Sequence, residues 1–409
     1  MGKLKIGYIL ERFPSPTEYF ILNEILQLEK RGIEIYIIVI HRQDKYLNLP
    51  ELNDLCSPVI YLPKIYYYFP ILNFFFTPSS FFQLPAFIRK TSGSISCSLL
   101  TIIRYFRNYC LSAYLAKQMK GYPCSHIHAH FAFISLDIAF CLSILLNIDY
   151  SLTVHARDIY TNENKIKDHL GSLRFLITCT NYNKDYLNKI TDYIYEYKIY
   201  KIYHGIDIKK WTLQVRRNRN HSVFHILSVA RLIEKKGLIY LIKAISILVA
   251  QGIRIHCTII GEGELKQQLL TLIKAERIHN FVRILPFVTQ DRIRELLLQS
   301  DVFVLPSIIA DDGDRDGLPN VIIESMLSGL PVVSTSVSGI PEVVKHMETG
   351  LLVREKDELS IVNAINFLMN DKEIYAGIVR NARKKILELL NIESCTDELV
   401  DVLESNLQI

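Results

Sequence analysis

The sequence predicts an α/β protein of two parallel-sheet domains, and three observations carry that reading. Short apolar runs, such as LKIGYIL at 4–10, alternate with stretches of helical periodicity. Strands covered by helices on both faces read as continuous apolar runs, and strand–helix alternation builds βαβ units. The alternation occurs twice, on either side of a polar, basic stretch at 214–222 (QVRRNRNHS) without periodicity. A chain of 409 residues also exceeds the roughly 250–300 at which single cores stop growing. Hydrophobic residues at 49% and charged residues at 22% exclude a mainly disordered chain.

The elements follow in order. After the strand at 4–10, Glu18–Arg31 carries Phe20, Ile21, Glu24, Ile25 and Leu28 at helical spacing, with Gly32 as the stop. Ile33–Ile40 is a strand, Ser96–Lys120 a helix, Ser125–Ala129 a strand, Ser135–Asn147 a helix and Tyr150–Val154 a strand. Phe175–Cys179 is a strand, and Asn181–Ile190 is a helix with Asn181 as its N-cap. In the second series, strands at Val223–Ala230, Arg254–Ile260, Val282–Leu285, Val302–Pro306 and Pro331–Thr335 alternate with helices. Those helices are Gly237–Ala250, Glu264–Ala275, Gln290–Gln299 and Asn320–Ser328, and the tail is helical over Leu359–Asn370 and Lys372–Leu390. Sheets of this kind bind ligands beyond the carboxyl ends of their strands, so a cleft between the two halves is the expected site.

The net charge, 47 − 42 = +5, is too small to indicate nucleic acid. Its distribution is uneven. Leu55 to Leu136 contains no Asp or Glu, whereas Lys64, Arg89, Lys90, Arg104, Arg107, Lys117 and Lys120 contribute +7. Inside that region, residues 65–88 hold ten aromatics and no charge. Pro70, Pro78 and Pro85 interrupt the roughly 20 apolar residues that a spanning helix needs. Core packing is one account of this stretch. The acid-free surroundings favour another, an aromatic patch at headgroup depth flanked by cations that attract anionic lipid. The start, MGKLKIGYIL, lacks the features of a secretory signal. The eight scattered cysteines form no CxxC pair, so buried free thiols in a reducing, cytoplasmic compartment are expected.

Chemistry concentrates at strand ends. Arg231 and Lys236 follow the strand of VARLIEKKGL (229–238) and precede a helix, where two cations and a helix N-terminus make a diphosphate site. Gly261 and Gly263 in IIGEGEL permit close backbone approach, but position 266 is Lys where a dinucleotide fingerprint needs a third glycine, which disfavours a nicotinamide dehydrogenase. The block 303–344 is densest. Asp316, at a loop tip, and Glu324, eight residues on in the second turn of a helix, can hold sugar and ribose hydroxyls. The open N–H groups of Gly317, Leu318 and Asn320 suit phosphate or sugar oxygens, and Pro319 has none. Asp312, Asp314 and Asp316 read as DxD, a metal pattern, but Arg315 interrupts it and the diphosphate already has two cations, so no metal or cofactor is expected. His128 and His130 share one strand face; without a third ligand they read as packing and hydrogen bonding. His155 ends a strand and faces the cleft. His204-Gly205-Ile206-Asp207 closes the first half.

These residues together resemble the retaining GT-B glycosyltransferases of family 4, in particular those of bacterial exopolysaccharide (colanic-acid-type) assembly. The likeness runs from PTEYFILNEI (16–25) through HAHFA (128–132), TVHARDIY (153–160), YHGIDI (203–208), VARLIEKKG and GEGEL to DRDGLPNVIIESM (314–326) and GIPEVV (339–344). The resemblance implies two Rossmann-like, doubly wound domains facing across a cleft. They are an acceptor domain at 1–210 with a membrane-facing region at 55–136, a linker at 211–222, a donor domain at 223–385, and a final helix at 386–409 that packs back on the first domain. It implies that Arg231 and Lys236 grip the diphosphate of a UDP- or GDP-sugar and that Glu324 bonds the ribose. Asp316 and Gly317–Asn320 would address sugar and phosphates, and His155 the sugar in transfer. The segment Pro286, Phe287 and Val288, with Gly261 and Gly263, would flank the base, while Thr17 and Glu18 would face a lipid-linked or glycan acceptor. The family's Glu-x7-Glu is here Asp316-x7-Glu324, which changes reach toward the sugar. The implied mechanism is same-face substitution without metal, by an enzyme peripheral to the cytoplasmic membrane face. The competing readings are a sugar-nucleotide epimerase or phosphorylase on the same architecture, and a catalytically silent nucleotide-sugar-binding protein at the membrane.

Overall fold

The structure, a computed structural model, describes residues 4–15, 18–44, 50–65, 99–211 and 223–407. The chain divides into two compact units. One comprises Met1–Cys179, Lys184–Gly205 and Ile392–Ile409, and the other Thr180–Asn183 and Ile206–Asn391.

In the first unit the strands are β1 (Lys5–Phe13), β2 (Glu34–Arg42), β3 (Val59–Tyr61), β4 (His126–His130), β5 (Tyr150–Val154), β6 (Leu176–Thr178) and β7 (Ile199–Lys201). The helices met along the same stretch of chain are α1 (Tyr19–Lys30), α2 (Leu99–Met119), α3 (Ile134–Leu146), α4 (Ala156–Thr161), α5 (Glu163–Leu170) and α6 (Asn181–Ile190). The strands pair in parallel in the order β3-β2-β1-β4-β5-β6-β7. The direction of progression reverses between β1 and β4, and that reversal opens a crevice at the strands' carboxyl ends.

The second unit repeats the plan with β8 (Phe224–Val229), β9 (Ile255–Ile260), β10 (Val282–Leu285), β11 (Val302–Leu305), β12 (Val332–Thr335) and β13 (Leu351–Val353). Between and after them run α7 (Leu238–Ala250), α8 (Lys266–Ala275), α9 (Gln290–Gln299), α10 (Asn320–Leu327), α11 (Ile340–Val343), α12 (Glu358–Asn370) and α13 (Lys372–Leu389). The order β10-β9-β8-β11-β12-β13 is again parallel, with its switch between β8 and β11. The expectation of two Rossmann-like sheets is borne out. Side-chain caps fix several helix starts: Asp357 accepts from the Ser360 amide at 3.0 Å and Asp371 from the Ile374 amide at 2.9 Å.

Several expectations are corrected. The N-cap of α6 is Thr180, whose hydroxyl accepts from the Asn183 amide at 3.1 Å, and Asn181 is already helical. The strands β3, β7 and β13 were not anticipated; at three residues each they are too short to show a period. The tail splits at Leu390 and Asn391 into α13 and a further helix, α14 (Ile392–Leu407). Most of the aromatic stretch at 65–88, the first residues of the expected helix at 96–120 and nearly all of the expected linker fall outside the described residues. Among the described residues no helix is long and apolar enough to cross a membrane.

The last helix belongs to the first unit. Leu399 and Leu403 of α14 share a core with Leu22, Ile25 and Leu28 of α1 and with Phe175. Arg31 fastens the rim, 2.6 Å from Asp397 and donating to the Glu393 carbonyl at 2.7 Å. Packing dominates this attachment, because exposed ion pairs contribute little. Leu403→Ala is expected to destabilise the protein by about 2–5 kcal/mol, and Asp397→Ala by less than about 1 kcal/mol. Urea unfolding followed by circular dichroism checks this, and equal effects of the two substitutions would contradict it.

Candidate functional site

In the second unit the chemistry gathers around the switch between β8 and β11. After β8 the chain turns through a short 3-10 segment, Glu234–Lys236, and enters α7 at Gly237. Gly237 has φ +61°, and a Cβ there would stand 1.9 Å from the Pro306 carbonyl oxygen. No side chain fits, so the turn carrying Lys235 and Lys236 lies flat against the end of β11. The Ile308 amide donates to the Lys235 carbonyl at 2.9 Å and closes the seam. Gly261 does the same on the other side: a Cβ would lie 1.9 Å from the Ala230 carbonyl oxygen. Leu232 donates to the Glu262 carbonyl at 2.9 Å, so the Gly261–Gly263 turn is stitched to the loop that presents Arg231.

The centre is an ion-pair network. Lys236 Nζ lies 2.7 and 2.8 Å from the two oxygens of Asp316. Ser307 donates its hydroxyl to Asp316 Oδ2 at 2.7 Å. Lys235, also buried, lies 2.9 Å from Asp314 and 3.9 Å from Asp316. Burial raises the Asp316 carboxyl, but Lys236, Lys235 and the Ser307 hydroxyl outweigh it and hold it below the usual range. Burial lowers the Lys236 ammonium, with Asp316 opposing. The two DxD carboxylates Asp314 and Asp316 therefore serve as counter-ions to lysines. Motif spacing does not point to Ser307 or Lys235; their signals in the sequence are a serine one residue past the expected strand Val302–Pro306 and a doubled lysine.

Glu324, half-buried on α10, behaves differently. Burial pushes its carboxyl up to about 7, with Arg294 of α9 pulling against it. The loop Gly317, Leu318, Pro319 and Asn320 leads into α10, with the Gly317 carbonyl accepting from the Gly339 amide at 3.0 Å. Arg231 is exposed. Pro286, Phe287 and Val288 follow β10, with Phe287 59% exposed.

In the first unit, His155 caps α4 at the end of β5, its amide donating to Asp158 at 3.1 Å. Its Nδ1 lies 3.2 Å from His204 Nε2, its Nε2 is buried without a partner, and Phe20 and Phe131 pack on the ring. Burial, with His204 and His130 adding to it, drives the His155 imidazole well below its ordinary range, and burial takes His204 to about 4. His128 bonds Ser151 at 2.7 Å and Thr153 at 2.8 Å on the neighbouring strand, and His130 faces Glu24 of α1 at 3.2 Å, so both histidines of the expected pair are hydrogen-bonded within the domain. Glu24, which also accepts from Tyr8 at 2.9 Å, was not singled out; an acid inside the apolar stripe of α1 was its signal. Glu18 sits beside a small cavity with Arg12, Phe13 and Ser15, its carboxyl raised chiefly by burial, and Thr17 lies outside the described residues.

Residues 209–385, which contain this whole second-unit network, match the family model described as Glycosyl transferases group 1. They are a group 1 glycosyltransferase domain. The chain is 38% identical to the amylovoran biosynthesis glycosyltransferase AmsK of Erwinia amylovora over 49% of each protein, so it spans about half of that relative in this match. It is 26% identical to the putative colanic acid biosynthesis glycosyltransferase WcaL of Salmonella typhimurium over 98% of this chain and 100% of the relative. Among solved structures, Anabaena Alr3699/HepE in complex with UDP and glucose has a TM-score of 0.73 at 18% identity, covering 98% of this chain and 100% of its own. The fold is thus that of the GT-B glycosyltransferases.

Within the glycosyltransferase domain, Glu324 generates a pH dependence. Its carboxyl stands near 7 against an ordinary 4.5, so its contribution is fully present below about pH 4.5 and is lost as pH rises through 7. Glu324→Gln is expected to melt above the parent at pH 8 and to lose that advantage at pH 5. Thermal unfolding at the two pH values checks it, and a pH-independent difference would show that ionisation of Glu324 is not the cause.

Proposed function

We propose that the chain is a retaining glycosyltransferase. It moves a sugar from a nucleotide-sugar donor to a hydroxyl of a lipid-linked or glycan acceptor in surface-polysaccharide assembly. The observation that carries this reading is the Lys236–Asp316–Ser307 centre at the carboxyl end of β11, inside a group 1 glycosyltransferase domain. A lysine already desolvated beside an open-amide loop is preorganised for a leaving diphosphate. The names of AmsK and WcaL support a polysaccharide pathway, and HepE supports a UDP-linked donor.

In this reading the bond from the anomeric carbon to the diphosphate breaks, and its electron pair leaves on the phosphate. Arg231 and Lys236 stabilise that charge. The acceptor oxygen bonds the same face of the anomeric carbon, and its proton passes to the departing phosphate. Asp316 is not the nucleophile; both its oxygens are engaged by Lys236 and Ser307. Its task is to hold Lys236 until the diphosphate arrives. Glu324 takes ribose hydroxyls, Gly317–Asn320 sugar and phosphate oxygens, and Gly261, Gly263 and Pro286–Val288 the base. His155 stands beside the transferred sugar, with Glu18 and Thr17 on the acceptor side. The chemistry needs no metal.

The enzyme works at the cytoplasmic membrane surface. Exposed Ile65, Ile103 and Phe106, next to Lys64, Arg104 and Arg107, support this among the described residues that flank 66–98. Lys236→Ala and Arg231→Ala are each expected to cut transfer more than about 100-fold, read as nucleoside diphosphate release that depends on added lipid-linked acceptor. Near-full activity in either variant would overturn the assignment, and acceptor-independent turnover would favour an epimerase. Co-sedimentation with anionic liposomes is expected at low salt and to weaken at high salt; no binding at either removes the membrane role.

A further inference from the structure

Three adjacent strands of the first unit, β5, β6 and β7, deliver a nitrogen or sulfur ligand at or just beyond their carboxyl ends: His155, Cys179 and His204. One ligand atom from each lies within 4.8 Å of the other two. His155 Nδ1 and His204 Nε2 are 3.2 Å apart. Two nitrogens each 2.0–2.1 Å from a tetrahedral zinc stand about 3.3–3.4 Å apart, so this pair already spans one edge of such a site. The rings are also held. The His155 amide is tied to Asp158 at 3.1 Å, and Phe20 lies 5.0 Å from the His155 ring and 4.3 Å from that of His204.

A second trio among the described residues, Glu24, His128 and His130, meets the same distance test but not the chemical one. Both ring nitrogens of His128 are occupied by Ser151 and Thr153. Glu24 has a different part. It lines, with His204 and Gly205, a cavity of about 20 Å³, room for a single water.

We propose that His155, Cys179 and His204 form a binding site for a borderline-soft divalent cation, zinc above all, with a water in the cavity beside Glu24 as fourth ligand. Two imidazoles and a thiolate select zinc over magnesium or calcium, which prefer oxygen. Binding forms the sulfur–metal bond as the thiol proton leaves to solvent. It also takes His155 out of use, so zinc inhibits sugar transfer; this last step rests on His155 standing beside the transferred sugar.

The full chain, stripped with a chelator, is titrated with Zn2+ against a chromophoric chelator and with Co2+ by absorption. One zinc per chain is expected, and cobalt should show an intense thiolate charge-transfer band. Cys179→Ser should abolish that band and weaken zinc more than about tenfold. His204→Gln should weaken zinc comparably, with its melting temperature confirming a folded chain. Cys56→Ser, which removes an exposed thiol, should change neither. Unchanged zinc affinity in both site variants, or loss of the cobalt band in Cys56→Ser, overturns the site. Since binding is read without turnover, a chain that binds zinc as stated but transfers no sugar refutes the functional reading and leaves the metal site standing.

Discussion

A parallel strand covered by helices on both faces has almost nowhere to keep a polar group along its length, and most of this protein's arrangement follows from that constraint. β8, β9, β11 and β12 are apolar or hydroxyl-bearing through their middles, and the cations and carboxylates appear one to several residues beyond their ends. β4 tests the rule by breaking it. His126, His128 and His130 are all buried, and each finds a partner: Ser151 and Thr153 on the neighbouring strand, and Glu24 from the covering helix. Each ring thus has at least one nitrogen partnered, though Nδ1 of His126 and of His130 is buried without a partner.

The Lys236–Asp316 pair shows why charge at such a strand end is held ready rather than left bare. A lone buried ammonium would be unstable as a cation, and a buried pair missing one partner is strongly destabilised. Asp316, steadied by Ser307, supplies the opposite charge. Both its oxygens are engaged, Oδ2 by Ser307 at 2.7 Å and the pair by Lys236 at 2.7 and 2.8 Å. At this position the chain thus has a carboxylate committed to lysine.

Much of this was legible in the chain. The long strands and helices announced themselves through apolar runs and periodicity, and Tyr150–Val154 and Asn181–Ile190 have the bounds read from sequence. Motif spacing brought out Lys236, Asp316 and Glu324. Periodicity could not reveal β3, β7 or β13, which have no room for a repeat. Nor could spacing reveal partners brought together by topology. Glu24 and His130 are 106 residues apart, and Lys235 and Asp314 are 79. Thr180 and Asn181 are both good caps in sequence, and only the position of the first helical residue separates them.

The return of α14 to the first unit has a consequence for how the protein comes to be made. Leu399 and Leu403 belong to a core whose other members include Leu4, Ile6 and Tyr8. Residues of β1 must therefore wait for those of α14, made much later, before that core closes. The second unit, continuous in sequence apart from Thr180–Asn183, has no such delay. The order of completion is thus inverted relative to the order of synthesis. An unfinished chain exposes the α1 stripe of Leu22, Ile25 and Leu28 that α14 later covers, a surface that chaperones and proteases would meet first.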